Sequence, residues 1–348
     1  MKDFIAKAGK GKRGSRDLTF DEASSAMECL LSGIATPYQV GAFLMAMRVK
    51  GESVDELAAF TSVAIRYNRP LNIEGKRLLN IPSYAGKKET LHVLAASAIL
   101  ISAAGQPVII HGFKDNRYKI GIGKILEAMG MSPDLGIDDA AYLLNHEGFS
   151  YVDLKEFNPL LYKLLLLRDE LGVRTSINTI ALLTNPGTAN RHIIGIAHPP
   201  VLKKIGDVLR SLGYEDALLL KGPEAGPELS IMGITMGMRL EDAVLLPQDL
   251  APSDFGLQDG KREDMAGAVP EAEARVIKGI LDNSINDNRR NWVVMNGALG
   301  LYVSGRVISP KDGVSVILET LSSGKGYQKY LSILDRQKEL LQMKAKAS

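Results

Sequence analysis

The chain has 348 residues, 45% of them apolar and 24% charged, with a formal net charge of +2 at neutral pH. That length exceeds one ordinary hydrophobic core and implies two structural units, while the balance of apolar and charged residues excludes a disordered chain. Its single cysteine, Cys29, excludes an intrachain disulfide and fits a reducing, cytoplasmic compartment, and its five histidines (His92, His111, His146, His192, His198) lack the spacing of a structural zinc site.

Residues 1–16 are basic without an apolar core, so no secretion signal is expected, and the longest apolar run, residues 91–104, is too short for a membrane span. Thr19 with Glu22 predicts a capping box opening a helix that carries Ala23, Met27, Leu30 and Leu31 on one face and closes at Gly33. Thr36 before Pro37 starts a second helix, with Val40, Phe43, Leu44 and Met47 inward and Gly51 as its stop; Ser53 and Glu56 cap a third. Three short amphipathic helices cannot bury all their faces alone, so they must pack on the rest of the chain or on another subunit. After residue 77 strands alternate with helices. Leu78, Leu79 and Ile81 form a short apolar run ended by Pro82, and residues 91–104 read as a buried helix stopped by Gly105. Residues 108–110, 193–197 and 217–220 read as strands buried on both faces, with helices over 200–212, 270–281, 290–303 and 310–323. Residues 247–268, rich in Asp, Gly and Pro, read as a long mobile connection.

The stretch NIPSYAGKKETLHVL, residues 80–94, stands where a phosphate-cradling loop is expected. Such loops are glycine-rich so that backbone N–H groups approach phosphate oxygens. Here only Gly86 is present, among Pro82, Tyr84, Lys87, Lys88 and Glu89. The loop reads either as a surface turn with solvated lysines or as one that attracts phosphate through ammonium groups. Basic residues gather in three groups: Lys2, Lys7, Lys10, Lys12, Arg13 and Arg16; Lys87 with Lys88; and Lys114, Arg117, Lys119 and Lys124. Each alone is a solvated face, and only convergence in space makes a phosphate-binding surface.

Residues 168–199 (RDELGVRTSINTIALLTNPGTANRHIIGIAHP), together with AFLMAMRVKGES at 42–53, HGF at 111–113, ILEAMG at 125–130 and NGALGLYVSG at 296–305, closely resemble the anthranilate phosphoribosyltransferases. These form a nucleoside-phosphorylase-like family, glycosyltransferase family 3, and the resemblance covers almost the whole chain. It implies an α/β protein: a small all-helical domain, residues 1–72 joined by a helical segment at about 156–176, and a larger α/β domain, 73–348, with a mainly parallel central sheet flanked by helices. It also implies homodimerisation through the helical domain.

The motifs of that family are altered here. Its G-T-G-G-D pyrophosphate loop corresponds to Pro82, Ser83, Tyr84, Ala85 and Gly86, and its N-x-S-T to His92, Val93, Leu94 and Ala95. The asparagine that follows His111 and Gly112 becomes Phe113, and the magnesium-holding Asp-Glu pair becomes Pro227 and Glu228. Arg168 stands where the family's arginine faces the anthranilate carboxylate, or it is a structural partner of Asp169 or Glu170. By this resemblance Ser83, Tyr84, Gly86, His92, His111, Arg168 and Glu228 form a degenerate substrate site, with no catalytic residue, metal or cofactor expected. Magnesium enters only if the chain is a transferase.

An intact scaffold with IPSYAGKKE in place of the glycine loop resembles a divergent bacterial branch, the TrpD2 group, whose members look like inactive transferases that bind nucleic acid without sequence preference. That resemblance implies that the partner is the phosphate backbone of DNA or RNA. Lys10, Lys12, Arg13 and Arg16 would hold it at the N-terminal edge, and Lys87, Lys88, Lys114, Arg117 and Lys119 around the former active-site cleft. Tyr84 and Phe113 would stack bases, or pack within their loop. The rival expectation is a phosphoribosyl or related glycosyl transferase with another acceptor, using Glu228, Arg168 and Ser83. A third is a protein-interaction role through the helical domain and the lysine-rich tail, 338–346, which is otherwise a solvated helix end.

Overall fold

The computed structural model describes residues 1–11, 13–73 and 77–347, the last helix with its side chains as far as 343. Four helices open the chain: α1 (Lys2–Ala8), α2 (Phe20–Leu31), α3 (Pro37–Lys50) and α4 (Val54–Arg66). Their starts follow the expected chemistry. Thr19 with Glu22, Thr36 with Gln39 and Ser53 with Glu56 each form a reciprocal capping box, which satisfies backbone N–H groups that have no partner inside the helix. Helix α1 is too short and too basic to carry a sequence signal; it packs on α3, with Ala8 buried.

The larger unit runs β1 (Leu79–Ser83), α5 (Val93–Ala103), β2 (Val108–Gly112), α6 (Ile122–Ala128), α7 (Ile137–Glu147), β3 (Phe149–Asp153), α8 (Leu154–Phe157), α9 (Pro159–Leu171), α10 (Ser176–Leu183), β4 (Arg191–Gly195), α11 (Pro199–Ser211) and β5 (Asp216–Leu220). It continues with β6 (Gly237–Glu241), β7 (Val244–Pro247), α12 (Pro270–Leu281), α13 (Asn288–Val303), α14 (Pro310–Ser322) and α15 (Lys325–Ala347). The seven strands form one sheet in the order β3-β2-β1-β4-β5-β6-β7, parallel as far as β5 and antiparallel over the last two. The expected fold, a small helical unit plus a larger, mostly parallel α/β unit, is therefore found. Helix α9 packs on α2, and α10 on α3 and α4, so the chain returns to the helical unit between β3 and β4. Among the described residues no helix is long and apolar enough to cross a membrane.

One expectation is corrected and one element had no forecast. Residues 247–268 are not a mobile connection: they contain two short 3-10 turns, bury Phe255 and Met265, and are tied to the loop after β1 by Leu91 N–H donating to Met265 O at 2.9 Å and Gly267 N–H to Glu89 O at 2.8 Å. The β6–β7 hairpin carried no turn signal, because its two left-handed turn residues are Asp242 and Ala243, at φ +47° and +62°, with no glycine.

Candidate functional site

The order of strands reverses between β1 and β4. From β1 the sheet grows one way through β2 and β3, then restarts on the other side, and ligands of open α/β sheets bind at the carboxyl ends of strands at such a reversal. Here β1 and β4 pair only at Leu79 with Arg191 and Asn80 with His192, so they part before their carboxyl ends. A crevice of about 340 Å³ opens there. It is lined by Pro82 of β1 with Tyr84 and Ala85 just after it, by Gly195 of β4 with Ile196 and Ala197 just after it, and by Ser176, Asn178 and Thr179 of α10. Arg48 and Glu52 of the helical unit, with Arg174, complete its rim. Arg48 donates to the carbonyl of Arg174, and burial pushes the Glu52 carboxyl above its usual range.

Beneath the crevice a polar row crosses three strands. The Asn80 amide nitrogen lies 3.3 Å from His111 Nε2 and 3.3 Å from His192 Nδ1, and Tyr84 Oη lies 2.9 Å from His111 Nδ1. Burial, with each ring beside another positive-going group, holds both histidines down at about 3, so both are neutral. Proton accounting then fixes the tautomers. His192 Nε2–H donates to Ala189 O at 3.0 Å, its Nδ1 accepts from Asn80, His111 Nε2 accepts the second Asn80 N–H, and His111 Nδ1–H donates to Tyr84 Oη. The Tyr84 hydroxyl also has the Thr184 side chain as a hydrogen-bond partner, and its ring lines the crevice.

The charges of the loop after β1 are paired. Lys87 is 4% exposed; its ammonium lies 2.6 Å from Glu228 Oε1, itself on a residue 2% exposed, and donates to Leu91 O at 2.9 Å. Trp292 lies under it, 5.4 Å from ring centre to nitrogen. Glu224 reaches back over the same loop. Its carboxylate accepts from the backbone N–H groups of Lys88 (2.9 Å), Glu89 (2.9 Å) and Thr90 (3.0 Å), from Thr90 Oγ1 (3.0 Å) and from Lys119 Nζ (2.8 Å). Burial opposes its charge, but these donors outweigh burial and hold it at about 2. Gly86, at φ +64°, lets the loop turn against Lys119: a Cβ there would lie 2.8 Å from Lys119 Cβ.

Magnesium does not fit this donor set. Pro227 brings no carboxylate, Glu228 is taken by Lys87, and among the described residues no three His, Cys, Asp or Glu side chains converge.

The other expected residues disperse. Ser83 ends β1 opposite Gly112. His92 caps α5 and clips α12, with Nδ1 2.8 Å from Glu273 and Nε2 2.9 Å from Ile120 O. Arg168 neither pairs with Asp169 nor faces the crevice; its guanidinium lies flat over Tyr118 at 3.7 Å, and Asp169 pairs with Arg117 at 3.3 Å. The space beside Arg168 is about 20 Å³, room for a water and no more. Tyr84 packs in an edge-to-face contact with His111, and Phe113 does the same with Tyr162. Glu224, Arg48 and Arg174 were missed from sequence; a glutamate in GPEAG carried the one readable sign, a short loop bracketed by glycines.

Residues 2–67 match the glycosyl transferase family helical bundle domain, and residues 85–327 match the glycosyl transferase family a/b domain. Among curated relatives, the anthranilate phosphoribosyltransferase of Methanobrevibacter smithii is 31% identical over 326 residues, 93% of this chain and 96% of its own. That of Petrotoga mobilis is 30% identical, covering 94% of each chain. The crystal structure of anthranilate phosphoribosyltransferase from Thermus thermophilus superposes with a TM-score of 0.85 at 25% identity, over 97% of this chain and 99% of that one. The Saccharomyces cerevisiae enzyme solved with PRPP and Mg shares the fold, with a TM-score of 0.83 at 19% identity, over 97% of this chain and 98% of that one. The chain therefore belongs to the glycosyl transferase family whose helical bundle and a/b domains it contains in that order.

These relatives overturn the nucleic-acid reading, since they are transferases by name and none points to DNA or RNA. Geometry gives the physical reason. Of the cleft cations, Lys87 is buried on Glu228, Lys114 is bound to Glu127 (3.1 Å) and Asp134 (2.6 Å), Lys119 to Glu224 and Arg117 to Asp169, leaving Lys88 exposed. Lys10, Arg13 and Arg16 are exposed in the connection between α1 and α2, and Lys12 lies outside the described residues. Cations already neutralised by carboxylates do not make a phosphate-tracking groove.

Proposed function

We propose that the chain transfers a pentosyl group from a phosphorylated donor of the phosphoribosyl pyrophosphate kind to an acceptor held in the crevice between β1 and β4. The observation that carries this is similarity to anthranilate phosphoribosyltransferases along nearly the whole of both chains, in a fold whose crevice sits at the strand reversal. The acceptor differs from anthranilate in where its charge is met. Tyr118 covers Arg168, whereas Arg48 and Arg174 rim a space of about 340 Å³ with the apolar Ile196 and Val201 and the polar Ser176, Asn178 and Thr179 in its lining, where a planar acid would sit. Transfer of this kind breaks the bond from the sugar to pyrophosphate, and cations fixed in advance near the leaving group lower the barrier. Lys88, exposed on the loop after β1, and Lys119, on the loop after β2 and facing the same loop through Glu224, are the cations in place for that role. The Tyr84 hydroxyl, oriented by His111, would position the acceptor. A cytoplasmic setting belongs to the same reading and is supported by Cys29, the only cysteine, being free.

The test is the melting temperature with phosphoribosyl pyrophosphate, alone and with aromatic acids. A ligand at a hundredfold its dissociation constant stabilises the native state by about 2.7 kcal/mol. A rise with the donor, increased by an aromatic acid, supports the reading; no rise at millimolar donor overturns it.

A further inference from the structure

We propose that the donor site carries its own counter-ions: the Lys87 ammonium stands in for a divalent cation at Glu228, and the Glu224 carboxylate fills a phosphoryl site built by residues 88–90 and Lys119. An incoming pyrophosphate group displaces that carboxylate. The identity of the ligand rests on the transferase reading; the contacts do not.

Three successive backbone N–H groups, those of Lys88, Glu89 and Thr90, converge on a single oxyanion, with Thr90 Oγ1 and Lys119 Nζ closing on it from the side. Successive amides turned to one point form a concave anion nest, the geometry that elsewhere receives phosphate. Its occupant is a side chain from more than 130 residues away along the chain. Its hydrogen bonds hold Glu224 there against an unfavourable backbone, since it and Ala225 sit at φ +51° and +67°, a left-handed conformation costly for residues with a Cβ. Gly222 and Gly226 bracket the pair where no Cβ fits: one on Gly222 would collide with Gly226 O, and one on Gly226 with Glu228 Oε2. A second observation points to a ligand independently. Glu228, 2% exposed and bonded through Oε1 to Lys87, leaves its Oε2 without any hydrogen-bond partner, a buried acceptor covered by Gly226 of the Glu224 loop, which displacement of that loop would uncover. Lys87 supplies one positive charge at Glu228, in the position where a metal-bound donor site would hold its cation. Donor binding then needs no divalent ion, and Glu224 competes with the ligand for the nest.

The experiment is calorimetric titration of inorganic pyrophosphate into the full chain in EDTA, for wild type, Glu224→Ala, Glu224→Gln and Glu224→Ala with Lys119→Ala. The expected result is binding about tenfold or more tighter in Glu224→Ala than in wild type, a smaller gain of the same sign in Glu224→Gln, and loss of the gain when Lys119 is also removed. Replacing EDTA by magnesium leaves these affinities unchanged. No gain in either Glu224 variant, each melting in one transition, overturns the proposal, as does wild-type binding that appears only with magnesium. The two readings separate cleanly. A chain that binds pyrophosphate in this pattern but transfers no pentosyl group keeps this inference and loses the transferase; a magnesium-dependent transferase does the reverse.

Discussion

Replacing Lys87 with methionine removes the charge that neutralises Glu228 while keeping most of the side-chain volume. Both partners are almost wholly buried and meet at 2.6 Å, so the variant leaves a carboxylate in the interior without its cation and Leu91 O without its donor. Breaking one partner of a buried pair costs about 3–5 kcal/mol, and an orphaned carbonyl adds about 1 kcal/mol. The cation over Trp292 is lost too, worth less than either. At about 2 °C per kcal/mol for a chain this large, Lys87→Met should melt roughly 8–12 °C below wild type. The control is Lys87→Met with Glu228→Leu. Removing the stranded charge restores most of the loss, because an apolar pair in place of a buried ion pair is close to neutral. Differential scanning calorimetry on the four members of the cycle reads both numbers. A single variant within about 1 kcal/mol of wild type, or a double variant no better than the single, refutes the claim that Lys87 is sealed onto Glu228.

Other outcomes follow from the same contacts. Glu224 is held at about 2 against an ordinary 4.5, so its contribution to stability is full above about pH 4.5 and fades as pH falls towards 2; urea midpoints across that range should converge between wild type and Glu224→Gln, and parallel curves would refute it. His111 and His192 stay neutral down to about 3 when folded but take protons near 6.5 when unfolded, so wild type should lose stability as pH falls from 6.5 towards 3. His111→Gln with His192→Gln should flatten that slope, and an unchanged slope would refute the neutral polar row. The homodimer implied by resemblance is expected to use the helical unit, where Tyr38 is 90%, Ile34 74% and Val49 72% exposed. Light scattering should give a dimer for wild type and a monomer for Ile34→Glu with Tyr38→Glu; a wild-type monomer refutes it.

The helices were legible because their signals are local: a threonine or serine with its acid or amide three residues on, a glycine past the end, an apolar stripe between. Helix α12 begins and ends where Pro270 and Leu281 predict, and α2 opens at the Thr19 box. The central strands were legible as apolar runs, because parallel strands covered on both faces have no alternation. What sequence hid is long-range. Nothing in KKET announces that Lys87 turns inward, since its acceptor Glu228 lies 141 positions later, nor that the amides of 88–90 face Glu224. The basic clusters read as free charge for the same reason: Asp134, Glu127, Asp169 and Glu224, which neutralise them, come from other elements. Residues 247–268 looked mobile by composition, yet Phe255 is buried in a turn packed on α13 and α14, and Met265 ties them to the loop after β1.

The central claim is pentosyl transfer, and the most direct test is release of pyrophosphate from phosphoribosyl pyrophosphate, followed continuously with and without aromatic acids as acceptors. The account predicts release that depends on an acceptor, persists in EDTA and falls in Tyr84→Phe. No release with any acceptor, at enzyme concentrations comparable to substrate, would contradict it.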